Sequence, residues 1–247
     1  LSTRTLAEFP YRSDYLGSTR PMDTRYCRIL LSRAGDEVLN RMYASRGYSL
    51  DTSADDESRS ALTLEIDGRA MGTLSLCLDE GRLSAEDQYP EFVAHLRARG
   101  AKIGELGKFA MDPSVRSKRA IGALFHMSWI LAFRALGATD IIIEVNPRHA
   151  AFYQQALYFE MVGEQRHCAR VGAPAVLLHM SNEKVHQLMA QFRGRPSQSQ
   201  RDHSFMSYCF TAAEEEEILC RWRRMEHDTW QTFMPRTIAA LREMRPV

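Results

Sequence analysis

Hydrophobic and polar positions change period along the chain, and each change predicts an element. Arg25–Ser32 alternates as a strand, after which Val38, Leu39, Met42 and Tyr43 fall on one helical face between Gly35 and Gly47. Ala61–Asp67 and Arg69–Leu78 alternate again around Asp67-Gly68, a strong hairpin signal. Ser84–Gln88 opens like a capped turn, and Glu91–Arg99 continues as a short amphipathic helix stopped by Gly100. Lys102–Met111 reads as a strand, and an apolar helix follows from about Ala120 to Leu136 with Gly137 as its stop. Thr139–Val145 is the most β-branched run, a buried strand. A short helix over Arg148–Leu157 then precedes two strands, Phe159–Val171 and Ala173–Met180, joined at Gly172.

The flanks read differently. Residues 1–24 are mixed and polar, with Pro10, Gly17 and Pro21, and are expected to be an arm. Asn182–Phe192 is helical, residues 193–210 read as a linker, and Thr211-Ala-Ala-Glu214 is a capping box opening a helical extension over 211–247. The expected layout is therefore an arm (1–24), one α/β domain (25–192), a linker and a helical extension.

Composition narrows the class. At 247 residues, 45% hydrophobic and 26% charged, with net charge +1, the chain has the profile of an ordinary soluble globular protein and no excess for wholesale nucleic-acid binding. The five cysteines show no metal-ligand spacing and suit reduced thiols. No apolar run reaches membrane-spanning length and no basic-then-apolar leader is seen, so a cytoplasmic location is expected.

Chemistry concentrates between Lys102 and Gly122. The strand carries one acid, Glu105, and Asp112-Pro113 ends it. The turn Arg116-Ser117-Lys118-Arg119-Ala120-Ile121-Gly122 then feeds a helix start, where free backbone N–H groups beside cations make an anion site. Seven Lys or Arg against two acids between Arg97 and Arg119 suit an acidic partner.

This order of elements resembles the GCN5-related N-acyltransferase superfamily over roughly residues 25 to 182, which implies a mixed, mostly antiparallel sheet flanked by helices. Within it, Glu105-Leu-Gly-Lys108-Phe-Ala-Met resembles the corresponding strand of acyl-homoserine lactone synthases. The superfamily's second signature, an Asn followed by an Ala-x-x-x-Tyr-like helix, is matched by Asn146–Tyr153, and the chain looks still more like the long-chain N-acyl amino acid synthases of the FeeM type, through Arg41–Tyr48, Gly72-Thr-Leu-Ser-Leu, His149–Tyr153, Val162-Gly163 and Ala173–Leu178. The resemblance implies an acyl-phosphopantetheine thioester as co-substrate, carried on acyl carrier protein or CoA, and an amino acid such as tyrosine as acceptor. It implies no metal or covalently bound cofactor. Arg116 through Gly122 would hold the phosphopantetheine, in either of two registers, with Arg116 first or with Ser117 first and Ala120 and Gly122 in the small positions.

Amide formation needs a base for the amine proton and donors for the oxyanion. By the same resemblance Glu105 is the expected base, acting directly or through water, and Lys108 the cation beside the thioester or acceptor carboxylate. Backbone N–H groups around Phe109 and Met111 are the expected oxyanion donors. Asn146, His149 and Tyr153 are substrate-binding candidates, although His149 and Tyr153 also fit plain helix packing. The Asp55-Asp56-Glu57 loop suits either an acceptor amine or solvent. Rival readings are an acyl-homoserine lactone synthase using S-adenosylmethionine, an acetyl-CoA N-acetyltransferase, and a catalytically silent acyltransferase-like module that binds acyl carriers or partners. The C-terminal helices could also mediate self-association.

Overall fold

The structure, a computed structural model, describes residues 4–11, 25–45, 47, 59–79, 82–195 and 204–224. Nine strands run in chain order among them: β1 (Arg4–Pro10), β2 (Tyr26–Leu31), β3 (Ser60–Ile66), β4 (Arg69–Leu78), β5 (Ile103–Met111), β6 (Asp140–Val145), β7 (Glu160–Met161), β8 (Arg166–Cys168) and β9 (Ala173–Ser181). They pair in the order β1-β2-β3-β4-β5-β6-β9-β7, with β8 also on β9. Every ladder is antiparallel except β5 on β6, whose crossover carries a helix. This is the expected mixed, mostly antiparallel α/β sheet flanked by helices.

Period-2 patterning sorts the faces. One face carries Leu62, Leu64, Leu74, Leu76, Leu106, Ile141 and Ile143, buried in one cluster with α3 (Lys118–Trp129), α4 (Pro147–Leu157), α5 (Asn182–Phe192) and α6 (Ala212–Arg224). The other packs Cys77, Ile103, Ile142 and Leu177 against α2 (Pro90–Ala98), and Ala110 against α1 (Asp36–Ala44). The β3–β4 hairpin turns at Asp67 and Gly68 with φ of 51° and 76°, the pair of left-handed residues that matches strand twist.

Several segments depart from expectation. The N-terminal arm contributes β1, which pairs with β2 and buries Leu6, Ala7 and Phe9; its short apolar alternation lies among charges and prolines. The strand expected over 159–171 is two short pieces. At Gly163 between them, a Cβ would stand 2.6 Å from the Tyr89 ring and 2.8 Å from Leu177 Cβ. The end of the supposed linker is packed, with Ser204, Phe205, Met206, Cys209 and Phe210 buried. Phe205 donates its N–H to Ala156 O at 2.8 Å. The helix after it buries Ile218, Leu219 and Trp222 on the same core. Residues 225–247 and the Asp55-Asp56-Glu57 loop lie outside the described residues.

Candidate active site

The site is set by an irregularity in β5. Ser75 pairs with Gly107 and Thr73 with Ala110, so Lys108 and Phe109 together oppose Leu74. This is a β-bulge, and Lys108 sits in it with φ of 50°, a conformation that costs a non-glycine residue free energy. On its other side β5 pairs with β6 only from Ile103↔Asp140 to Leu106↔Ile143. Both strands continue past that point, β6 now bound to β9 alone, so the two diverge and leave the bulged backbone of Gly107–Met111 without a ladder on that side. Phe109 and Met111 lie in this stretch. The Phe109 ring packs toward α3 and α4, 5.0 Å from Phe125 and 6.2 Å from Phe152.

Glu105 lies on the α2 face just before the bulge and is 2% exposed. A buried charge requires partners, and it has three. Ser84 N–H donates to Oε2 at 2.8 Å, Ala85 N–H to Oε1 at 3.0 Å, and Arg59 Nη2 to Oε2 at 3.0 Å. Arg59 also donates to Ser84 Oγ, and its side chain is 9% exposed. Glu105 is thus held in place by the turn that leads into α2 and by an arginine 46 residues away in sequence. A second carboxylate shares the face. Cross-strand pairing puts Ile142 beside Glu105, and Glu144, two residues on, points the same way into the divergence. Burial pushes the Glu144 carboxyl up, opposed by Cys168 and Arg170 and reinforced by Glu105. Arg170 Nη2 lies 3.3 Å from it.

Arg59, the partner of Glu105, also borders a shallow cleft whose other polar walls are Arg33, Asp36, Thr73, Ser75 and Lys108. Leu39 of α1 and Ala61 of β3 complete it. Arg59, Ser75 and Glu144 were not singled out from sequence. Period-2 alternation from Glu105 and across the β4–β5 ladder would have put Ser75 and Glu144 on this face, but the register that makes the argument depends on pairing.

The basic turn is organised differently from expectation. Ser117 is the N-cap of α3, its Oγ accepting from Ala120 N–H at 3.2 Å. Arg116 is exposed, and its N–H donates to Tyr11 at 3.1 Å. Lys118 lies 5.6 Å from the Tyr208 ring. Arg119 faces the C-terminal segment: it donates to Tyr208 O at 2.9 Å, Cys209 O at 2.7 Å and Glu214 at 2.6 Å, beside the rings of Phe9 and Phe210. Ala120 is fully buried and Ile121 packs against the core. A Cβ on Gly122 would stand 3.0 Å from Phe205 O and 3.3 Å from Tyr208 Cβ. That glycine admits the C-terminal segment against α3. Arg119, Ala120, Ile121 and Gly122 are thus engaged within the protein.

The remaining candidates divide. Asn146 caps α4, its side chain accepting from Arg148 N–H at 3.2 Å with Pro147 at the first helical position. His149 is half-buried and accepts from Arg148 Nε at 3.1 Å. Tyr153 is 5% exposed among Phe125, Phe152 and Phe159, and burial pushes its phenol up. Its place is in the aromatic core behind Phe109.

The model of the N-acyl amino acid synthase FeeM family matches residues 35–181. The solved structure of FeeM, an N-acyl amino acid synthase from uncultured soil microbes, is 29% identical with a TM-score of 0.61, covering 72% of this chain and all of that one. The acyl-homoserine lactone synthase LasI (15% identical, TM-score 0.43, 60% of this chain and 81% of that) and the nucleotide-linked sugar acyltransferase FdhC (12%, 0.47, 67% and 92%) are weaker likenesses on which nothing rests. No protein of curated function matches the chain. No helix among the described residues is long and apolar enough to cross a membrane. A match over more than half the chain, on a sheet of this order with its bulged and diverging β5, places the protein in a family: it is an acyltransferase belonging to the N-acyl amino acid synthases of the FeeM type.

Proposed function

We propose that the protein joins a long-chain fatty acyl group, delivered as an acyl-carrier-protein thioester, to the α-amine of an amino acid. The bulge of β5 beside the buried Glu105–Arg59 pair is the observation that carries this reading. There the backbone leaves its ladder, so N–H groups around Phe109 and Met111 are available to a thioester oxyanion, and the cleft of Arg33, Asp36 and Lys108 lies next to it. The phosphopantetheine arm reaches this point from the start of α3, with Arg116 and Lys118 meeting the phosphate and the acidic carrier. The acyl chain lies along Phe109 and Phe152.

The amine attacks the thioester carbonyl, the C–N bond forms as the C–S bond breaks, and the thiol leaves on the carrier. The ammonium proton must go first. Glu105 Oε1, which accepts from Ala85 N–H, receives it through an intervening water, while Oε2 keeps Arg59 in place. Steady-state turnover with acyl carrier protein thioesters tests this role. Glu105→Gln is expected to lower kcat by about 10²–10⁴, the usual worth of a positioned acid or base. Unchanged turnover would remove Glu105 from the mechanism, and a wild-type protein without turnover would favour a module that only binds acyl carriers.

A further inference from the structure

We infer that Ser75 Oγ and Arg59 Nη1, which border the notch left by Gly107, form the subsite that holds the α-carboxylate of the acceptor amino acid. The inference rests on the acyl-transfer reading above and adds the residues that select the acceptor.

Ser75 is 3% exposed, and its hydroxyl is buried with no hydrogen-bond partner among the described residues. Buried hydroxyls are nearly always satisfied, and an orphan costs stability, so an unpaired one on a cleft wall points to a ligand. Ser75 is directly opposite Gly107 across the β4–β5 ladder and lines the cleft together with Arg59. A Cβ on Gly107 would stand 3.5 Å from Arg59 Nη1 and 3.6 Å from Ser75 Oγ. The absence of a side chain there leaves a notch about one methyl group wide, bordered by a guanidinium N–H and a hydroxyl on the cleft wall, against the backbone of the strand that bulges one residue later.

The chemistry of that gap suits a carboxylate. Arg59 uses Nη2 for both Glu105 and Ser84, which fixes the plane of the guanidinium and turns Nη1 toward Gly107. A carboxylate can accept from Nη1 on one oxygen and from the Ser75 hydroxyl on the other, a charge-assisted pair. Arg33 and Lys108 add positive charge to the cleft walls, and Asp36 is the one acid among the residues that line it. Glu105 then has a second task as a positioning residue, because without it Arg59 loses its anchor.

The test compares free amino acids with their α-amides as acceptors, using the full chain and a long-chain acyl carrier protein thioester. For the amino acid turned over fastest, the wild type is expected to prefer the acid over its amide by about a hundredfold. Ser75→Ala removes a hydroxyl with no partner among the described residues, and Gly107→Ala adds a methyl at ordinary contact distance, so both are expected to keep the wild-type melting temperature. Ser75→Ala should raise KM for the amino acid about tenfold, the scale of one lost bond to a charged group, while KM for the acyl donor is unchanged. Gly107→Ala should raise it about a hundredfold by filling the notch, and both should shrink the acid-over-amide preference. If amino acids are acylated and both variants keep that preference, the subsite is wrong and the acyl-transfer reading stands. If the wild type acylates no amino acid, the acyl-transfer reading fails and takes the occupant of the subsite with it.

Discussion

Arg119→Ala separates two roles for the basic turn, a phosphate clamp or a brace for the C-terminal segment. In the structure its guanidinium donates to the carbonyls of Tyr208 and Cys209 and to Glu214, and lies 5.3 Å and 5.0 Å from the centres of the Phe9 and Phe210 rings. Bonds from a charged donor contribute about 1.5–3 kcal/mol each. The Glu214 carboxylate is 40% exposed, so that pair is discounted to about 1 kcal/mol or less. Each ring contact adds about 0.5–1 kcal/mol. After the side-chain entropy released and the rehydration of the two carbonyls, the net loss is about 3–5 kcal/mol. For a protein of this size a kcal/mol moves Tm by about 2–4 °C, so a fall of roughly 6–20 °C is expected in a thermal melt. Arg116→Ala, at an exposed position, should cost less than about 0.5 kcal/mol. If Arg119→Ala leaves Tm within a degree or two and instead raises KM for the acyl donor, the brace is wrong and the arginine binds phosphate.

Three further outcomes follow from particular contacts. Burial pushes the Glu214 carboxyl up, but the Thr211 N–H and Arg119 outweigh it and hold the group below its usual range. A depressed acid stabilises the fold above its ordinary range and loses that contribution as pH falls through the lowered value. Packing of α6, followed by Trp222 fluorescence, should therefore loosen as pH falls below the ordinary carboxylate range, and Glu214→Gln should flatten that limb; an unchanged acid profile would contradict it. Among the cysteines, Cys27, Cys77, Cys168 and Cys209 are buried, and burial pushes the Cys209 thiol up to about 12. A thiol reagent at pH 8 should modify Cys220 alone in the native protein, and fast modification of a second thiol would show a looser C-terminal segment. Gly163→Ala forces a Cβ onto the Tyr89 ring and Leu177, and should cost about 1–3 kcal/mol in denaturant unfolding; a neutral substitution would mean the β7–β8 connection shifts freely.

The elements legible in the sequence were those whose signal is local. The β3–β4 hairpin follows from Asp67-Gly68, the end of the helix region after α3 from Gly137 with its φ of 69°, and α6 from the Thr211–Glu214 box, whose two bonds form as spaced. Element order then carried the sheet and the family. What was not legible depends on partners distant in sequence. Glu105 reads as one acid on a strand, and its fixation needs Arg59, Ser84 and Ala85 brought to it by the fold. Arg119 and Gly122 look like parts of a phosphate turn, because nothing nearby reveals that residues 205–214 will lie over them. β1 escaped notice since an edge strand needs few apolar residues to hold its place.

Transfer of a long acyl chain to the amine of an amino acid is open to a single measurement, mass spectrometry of the products. The protein is incubated with long-chain acyl carrier protein thioesters and a mixture of amino acids. The expected product is an N-acyl amino acid whose mass gives chain length and acceptor together, formed with stoichiometric release of the carrier thiol. Absence of any N-acyl product, with a lactone forming only when S-adenosylmethionine is added, would contradict it.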